Sequence, residues 1–102
     1  MKTFSARIIW LTLDKGGRKT IPIGERYAPI VKLKNQSFGS EFWSLFVKNI
    51  EIVSSTETLA EVRYLSDQAP DNLSIGVEFE LFEGKRLVGY GEIVGGIFKE
   101  II

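Results

Sequence analysis

Two short basic turns carry the residue types best suited to contact a phosphate group. They are Gly16-Gly17-Arg18-Lys19 and Gly84-Lys85-Arg86. Glycines let backbone amides approach an anion closely, and neighbouring cations add electrostatic attraction. The same residues also suit plain hairpin turns, in which glycine supplies a positive φ and the cations are hydrated. We favour the hairpin interpretation and keep phosphate contact as the alternative.

The rest of the composition argues against catalysis. The 102 residues include no histidine and no cysteine, which excludes serine–histidine and cysteine–histidine nucleophiles and removes the commonest metal ligands. Glu61, Glu78 and Glu80 are the carboxylates that we considered for a metal site or an acid pair. Strand alternation places Glu78 and Glu80 on the outer face, and hard cations need further oxygen ligands. We therefore expect no catalytic residue, no metal site, no cofactor and no enzymatic activity.

A third chemistry is offered by aromatic residues near the middle of the chain. In an extended strand, Trp43 and Leu45 share one face, so Phe42 and Phe46 point to the opposite face. An exposed ring is a common anchor for a protein partner and can also stack on a base. Most aromatics in a small β protein belong to its core, but if both phenylalanines are exposed, an interface is the better explanation. Phe42 and Phe46 are our candidates for it.

Charge is balanced overall but divided between the two halves of the chain. The formal net charge is zero, with 13 basic and 13 acidic side chains. Residues 1–34 carry eight bases and two acids, a net charge of plus six, and residues 35–102 carry five bases and eleven acids, a net charge of minus six. This division indicates either one positive face for a polar partner or strands that interleave and mix the charges in space.

These side chains must be positioned by β-strands, because alternating and β-branched segments dominate and no helical period is sustained. We predict six strands, at 4–13, 26–34, 42–53, 59–65, 77–81 and 86–98. Alternation within the second and fifth places Val31, Leu33 and Leu81 on the side that faces the core. In the third, Ile50 and Ile52 have the opposite parity from Leu45, which predicts a bulge near Lys48-Asn49. With no helix to cover a sheet face, the strands must close or form a sandwich. We predict an all-β fold, a small closed antiparallel six-stranded barrel forming one domain over 1–102.

Glycines in the last predicted strand support a small barrel. Gly89, Gly91, Gly95 and Gly96 interrupt it, and glycines within strands mark sharp coiling or close backbone approach. No segment reaches the roughly 18 apolar residues of a membrane span, and the first residues lack the pattern of a signal peptide. We expect a cytoplasmic protein that does not bind membranes.

Two motifs together resemble the C-terminal (third) β-barrel domain of the elongation factor Tu and elongation factor 1-alpha family. The first is Gly16-Gly17-Arg18-Lys19-Thr20-Ile21-Pro22, followed by Tyr27-Ala28-Pro29. The second runs from Gly76-Val77-Glu78-Phe79 through Glu83-Gly84 to Gly89-Tyr90-Gly91. Their order and separation are similar to the family's, and the resemblance covers residues 4–98. It implies a free-standing barrel of the elongation factor type.

The departures limit what this resemblance implies. Ile21 is an extra residue before Pro22, and the 35–40 loop is shorter than the family's. No phosphate-binding loop of a GTPase is present, so neither nucleotide binding nor its chemistry follows. In the full-length family the two turns lie near the backbone of aminoacyl-tRNA. By resemblance, Arg18, Lys19 and Gly84 become candidate RNA-contact residues, with Lys85 extending the patch.

Three functions remain open from the sequence. The leading hypothesis is a non-catalytic binding or regulatory module that docks a protein partner through Phe42 and Phe46, aided by Arg18 and Lys19. The second is weak binding to tRNA or another structured RNA, linked to translation, which requires the two basic turns to converge. The third and least favoured is a small-molecule or enzymatic role inside the barrel, because six strands normally enclose only their own side chains.

Overall fold

The protein is an all-β closed barrel of six antiparallel strands, as predicted. The computed structural model describes residues 2–17, 20–22, 26–34 and 42–96. The strands are β1 (Phe4–Trp10), β2 (Ile30–Leu33), β3 (Trp43–Ile52), β4 (Glu57–Tyr64), β5 (Glu78–Glu83) and β6 (Arg86–Gly95). They close in the order β1-β4-β3-β2-β5-β6, and the only helical element in the described residues is a single 3-10 turn at Leu13–Lys15.

Strict alternation along the strands fills the barrel interior. Inward-facing side chains are apolar, while their immediate neighbours on the same strand face solvent. The buried core consists of Phe4, Ala6, Ile8, Trp10, Val31, Leu33, Leu45, Val47, Ala60, Val62, Tyr64, Leu73, Phe79, Leu81, Val88 and Ile93. The six predicted strands are confirmed, although β2 is shorter than expected and begins only at Ile30.

A hydrogen-bond chain links the neighbouring strands β1, β4 and β3 beside this core, and it is buried at Trp10–Thr58 and half-buried beyond. The Trp10 indole donates to the Thr58 hydroxyl at 2.9 Å, and that hydroxyl donates to the Asn49 side-chain oxygen at 2.7 Å. The Asn49 amide in turn donates to the Pro22 carbonyl at 2.7 Å. Because Thr58 is fully buried, each of these polar groups depends on the others for its partner. The chain thereby ties the segment before β2 to β1, β3 and β4.

The predicted bulge in β3 is confirmed. Its pairing with β4 shifts register between Asn49 and Glu51. The residues beyond the bulge nevertheless stay outside the core, since Ile50 is 56%, Ile52 65% and Val53 50% exposed. We call the residues 50–53 at the end of this hairpin the aliphatic tip.

The division of charge along the chain is partly offset by ion pairs between its two parts. Four ion pairs join a base from residues 1–34 to an acid from residues 35–102, at nitrogen–oxygen distances of 2.7 to 3.9 Å. They are Lys2–Asp71, Arg7–Glu92, Lys32–Glu80 and Lys34–Glu78. The barrel places the N-terminal strands against the C-terminal ones, and this arrangement favours mixed charges over one positive face.

Candidate functional site

An apolar groove runs along the outer face of β2, the shortest strand. Pairing places Ile30 of β2 beside Phe82 of β5 and Ser44 of β3, so side chains from three strands meet there. The groove has a volume of about 520 Å³. Its lining consists of Ile30, Lys32, Phe42, Phe82, Gly84 and Lys85. It therefore joins one predicted protein-interface residue to two predicted RNA-contact residues.

Local alternation explains why these side chains face outward. Val31 and Leu33 are buried, so Ile30 and Lys32 must point to the other face of the sheet. Phe42 directly precedes β3 and is 54% exposed, which agrees with the outward direction that parity predicted. This exposed aromatic ring lies beside two further apolar side chains, Ile30 and Phe82, so the groove presents a continuous apolar surface.

The turn between β5 and β6 forms one end of the groove. Gly84 has a φ of +61°, a left-handed conformation that favours glycine, and an added Cβ would meet no atom within 4 Å. The positive φ explains the glycine, and the turn is a hairpin between two paired strands. This turn presents the exposed Lys85 at the edge of the groove.

Electrostatically, the groove is positive at its edges. Both charged residues that line it are lysines. The ammonium group of Lys32 lies 3.9 Å from a Glu80 carboxylate oxygen, whereas Lys85 has no ion pair within the described part of the chain. An apolar ligand with a negative charge at one end would satisfy both features.

The second predicted interface residue, Phe46, does not line this groove. It projects from the outer face of β3 as expected, but the guanidinium carbon of Arg63 lies 4.4 Å from the centre of its ring. This cation–π contact leaves Phe46 half-buried. Phe42 and Phe46 thus share the outer face of β3, and of the two only Phe42 is fully available to a partner.

The predicted RNA-contact set is only partly placed. Arg18 and Lys19 lie outside the described residues, so whether the two basic turns converge stays a prediction. The start of their loop is described: the Leu11 amide donates to the Val88 carbonyl at 2.9 Å, at the end of the barrel where β6 begins. Within this loop the Thr12 hydroxyl donates to the Asp14 carboxylate and holds the pKa of Asp14 below its usual value.

Gly17 has a structural role in that loop. A Cβ at this position would lie 2.1 Å from the Leu11 carbonyl oxygen, so only glycine fits without moving the backbone. The preceding Gly16 has a φ of +80°. The turn explains both glycines, but only Gly16 has the positive φ of the hairpin interpretation, and the loop is not a hairpin, because β1 pairs with β4 and β6 rather than with β2.

A second cleft, of about 370 Å³, lies at the end of the barrel where β1 begins, away from the loop that follows β1. Its polar groups bind one another: Lys2 pairs with Asp71 at 2.7 Å, and the Tyr64 hydroxyl donates to Asn72 at 2.6 Å. Burial raises the pKa of Tyr64, an effect that the Asn72 hydrogen bond partly offsets. Because these groups are already paired, this cleft is a weaker candidate than the groove on β2.

Two of the carboxylates considered for a metal site, Glu78 and Glu80, each lie beside a lysine. Glu78 and Glu80 face outward on β5, where Glu78 pairs with Lys34 and Glu80 with Lys32. Among the described residues, no group of three or more potential metal ligands comes together. Across the same residues, no helix is long and apolar enough to cross a membrane.

No protein-family model matches the sequence. The resemblance to the elongation factor barrel therefore stays a prediction. The fold class stands independently of it, as a small closed antiparallel six-stranded barrel.

The sequence reasoning missed Lys32 and the two apolar groove residues Ile30 and Phe82. Parity carried a signal for both apolar residues, because each sits next to a residue predicted to face the core, Val31 and Leu81 respectively. What parity could not show is that β2 and β5 pair side by side and bring the two residues together.

Proposed function

We propose that the protein is a non-catalytic module that docks a protein partner in the groove on the outer face of β2. The observation that carries the proposal is the exposed Phe42 ring, placed beside Ile30 and Phe82 at the edge that holds Lys85. Interfaces typically combine such an apolar centre with a charged rim.

The lining also defines the chemistry of the partner. Apolar side chains are needed to cover Ile30, Phe42 and Phe82, and an acidic side chain is needed to pair with Lys85. The predicted ligand is therefore a protein segment in which an acidic residue lies next to apolar ones.

The alternative, RNA, is less well supported by this surface. RNA backbone binding depends on several cations acting together. The groove offers two lysines, one of them already beside Glu80, and the other two predicted RNA-contact residues lie outside the described chain. We further propose a cytoplasmic location and kinship with the elongation factor barrels. A role in translation is part of the RNA alternative, and identifying the partner tests it.

Photocrosslinking tests the proposal directly. Benzoylphenylalanine is placed at Phe42, with the same residue at Ile75 as the matched control, since Ile75 is 67% exposed and lies outside the groove lining. We expect a discrete protein adduct from position 42 and none from position 75.

The second part of the experiment adds a charge reversal to the protein that carries benzoylphenylalanine at position 42. Lys85→Glu should reduce the adduct about fivefold, because a rim ion pair contributes up to about 1 kcal/mol. Lys15→Glu, on a separate exposed turn, should leave the adduct unchanged. An adduct that ribonuclease removes would indicate the RNA alternative. An adduct insensitive to Lys85→Glu would contradict the proposed site.

A further inference from the structure

The aliphatic tip is an exposed apolar surface that the proposed function does not use. Ile50, Ile52 and Val53 are each at least 50% exposed and follow one another closely on a single hairpin end. The turn beyond them is well formed, since the amides of Val53 and Ser54 both donate to the Glu57 carbonyl, at 2.9 and 3.1 Å. The tip is thus an ordered projection, and such apolar clusters usually mark an interaction site.

The chemistry of the tip is the chemistry that the groove requires. Glu51 lies between Ile50 and Ile52 along β3 and pairs with Leu59, whereas Ile52 pairs with Thr58, so the acidic and the apolar side chains leave opposite faces of one narrow projection. Within the described part of the chain, neither Glu51 nor Lys85 has an ion-pair partner. Each molecule therefore carries two apolar surfaces. One of them, the aliphatic tip, bears an unpaired anion, and the other, the groove, bears an unpaired cation.

We propose that the groove on β2 receives the aliphatic tip of a second copy of this chain, with Glu51 of one molecule beside Lys85 of the other. This inference rests on the groove being a protein-docking site. A two-fold axis makes the contact reciprocal, so each molecule gives its tip to the other's groove. Closed symmetry of this kind is the commonest arrangement in homodimers and avoids open-ended assembly.

The size of the two contacts determines the affinity that we expect for the dimer. A groove of about 520 Å³ accommodates a few side chains, so each contact is small and the two together fall at the low end of specific interfaces. Weak interfaces of this size give dissociation constants on the order of micromolar or weaker. We expect a monomer–dimer equilibrium that is visible between about 5 µM and about 1 mM protein.

Sedimentation equilibrium over this range of protein concentration tests the apolar part of the contact between tip and groove. Ile52→Ser should weaken dimerisation about tenfold, because it removes a largely exposed aliphatic side chain from the contact. Ile75→Ser is the matched control, with the same substitution at a 67% exposed isoleucine in the β4–β5 connection. It should leave the equilibrium unchanged, and equal effects of the two substitutions would overturn the proposal.

Mixing two charge-reversed variants tests the pairing itself. Glu51→Lys alone places lysine against Lys85 in both contacts, and Lys85→Glu alone places glutamate against Glu51 in both. Each variant should dimerise about tenfold more weakly than the original protein. A mixture of the two restores opposite charges in both contacts, so a heterodimer should form with the original affinity. Failure of the mixture to associate better than either variant alone would overturn the proposal.

A separate titration distinguishes failure of this inference from failure of the proposed function. The probe is the peptide acetyl-Leu-Phe-Asp-amide, added to isotopically labelled protein while amide chemical shifts are followed. A protein that stays monomeric at about 1 mM, yet shows shifts at Ile30, Phe82 and Lys85, would overturn the homodimer and leave the docking groove in place. Absence of both dimer and shifts would refute both.

Discussion

Gly91 is a position where the barrel interior leaves no room for a side chain, and Gly91→Ala tests how tightly that interior is packed. Gly91 of β6 lies directly opposite Phe79 of β5 and points into the barrel. A Cβ there would lie 2.2, 2.3 and 2.9 Å from three carbons of the Phe79 ring, whereas ordinary contact begins at 3.4 Å. The ring would have to move by more than 1 Å, yet Phe79 is fully buried among packed neighbours.

Two opposing effects determine how much the free energy of unfolding should fall in Gly91→Ala. Overpacking a rigid core costs about 1–3 kcal/mol, and the short distances place this case near the upper value. Replacing a strand glycine by alanine returns about 0.5–1 kcal/mol of conformational entropy. We therefore expect Gly91→Ala to lower the free energy of unfolding by about 2 kcal/mol. For a domain of this size the melting temperature should fall by about 8–16 °C.

Urea and thermal unfolding of four variants provide the measurement: Gly91→Ala, Gly96→Ala, Phe79→Leu and the double variant of Gly91→Ala with Phe79→Leu. Gly96→Ala is the control, because an added Cβ there meets nothing within 4 Å, and its stability should change by less than about 0.5 kcal/mol. Adding Phe79→Leu to Gly91→Ala should recover part of the loss, so the double variant departs from additivity by about 1 kcal/mol or more. Additive effects, or a Gly91→Ala protein as stable as the control, would refute the reasoning.

Three further predictions concern single positions. Thr58→Val should lower the free energy of unfolding by about 2 kcal/mol in urea titrations, because it leaves the Trp10 indole and the Asn49 oxygen without a buried partner, whereas Thr58→Ser should lose less than Thr58→Val. Gly84→Ala should lose about 1 kcal/mol in the same assay and Gly84→Asn less, because asparagine tolerates the left-handed conformation better. Because burial raises the pKa of Tyr64, its neutral form contributes to the free energy of unfolding below a pH of about 10, and this contribution is lost as pH rises through the folded pKa. The free energy of unfolding should therefore fall less steeply at alkaline pH in Tyr64→Phe than in the original protein.

The faces of the strands were predictable because alternation is a local property. Val31 and Leu33 were expected in the core and are buried, and Phe42 was expected outside and is exposed. The change of parity in β3 correctly indicated a bulge. It did not indicate that Ile50 and Ile52 would stay in solvent, because burial depends on what covers a side chain rather than on its direction alone.

The sequence by itself determined the strand-rich fold class, the direction of most side chains and the glycine-dependent turns. Each of these follows from residues that are neighbours along the chain. Only the tertiary structure decided that β2 lies between β3 and β5, which brings Phe42, Phe82 and Lys85 to one groove and pairs the bases of the first third with later acids. Pairing between distant strands is chosen by closure of the whole barrel, a collective packing condition that no local pattern encodes.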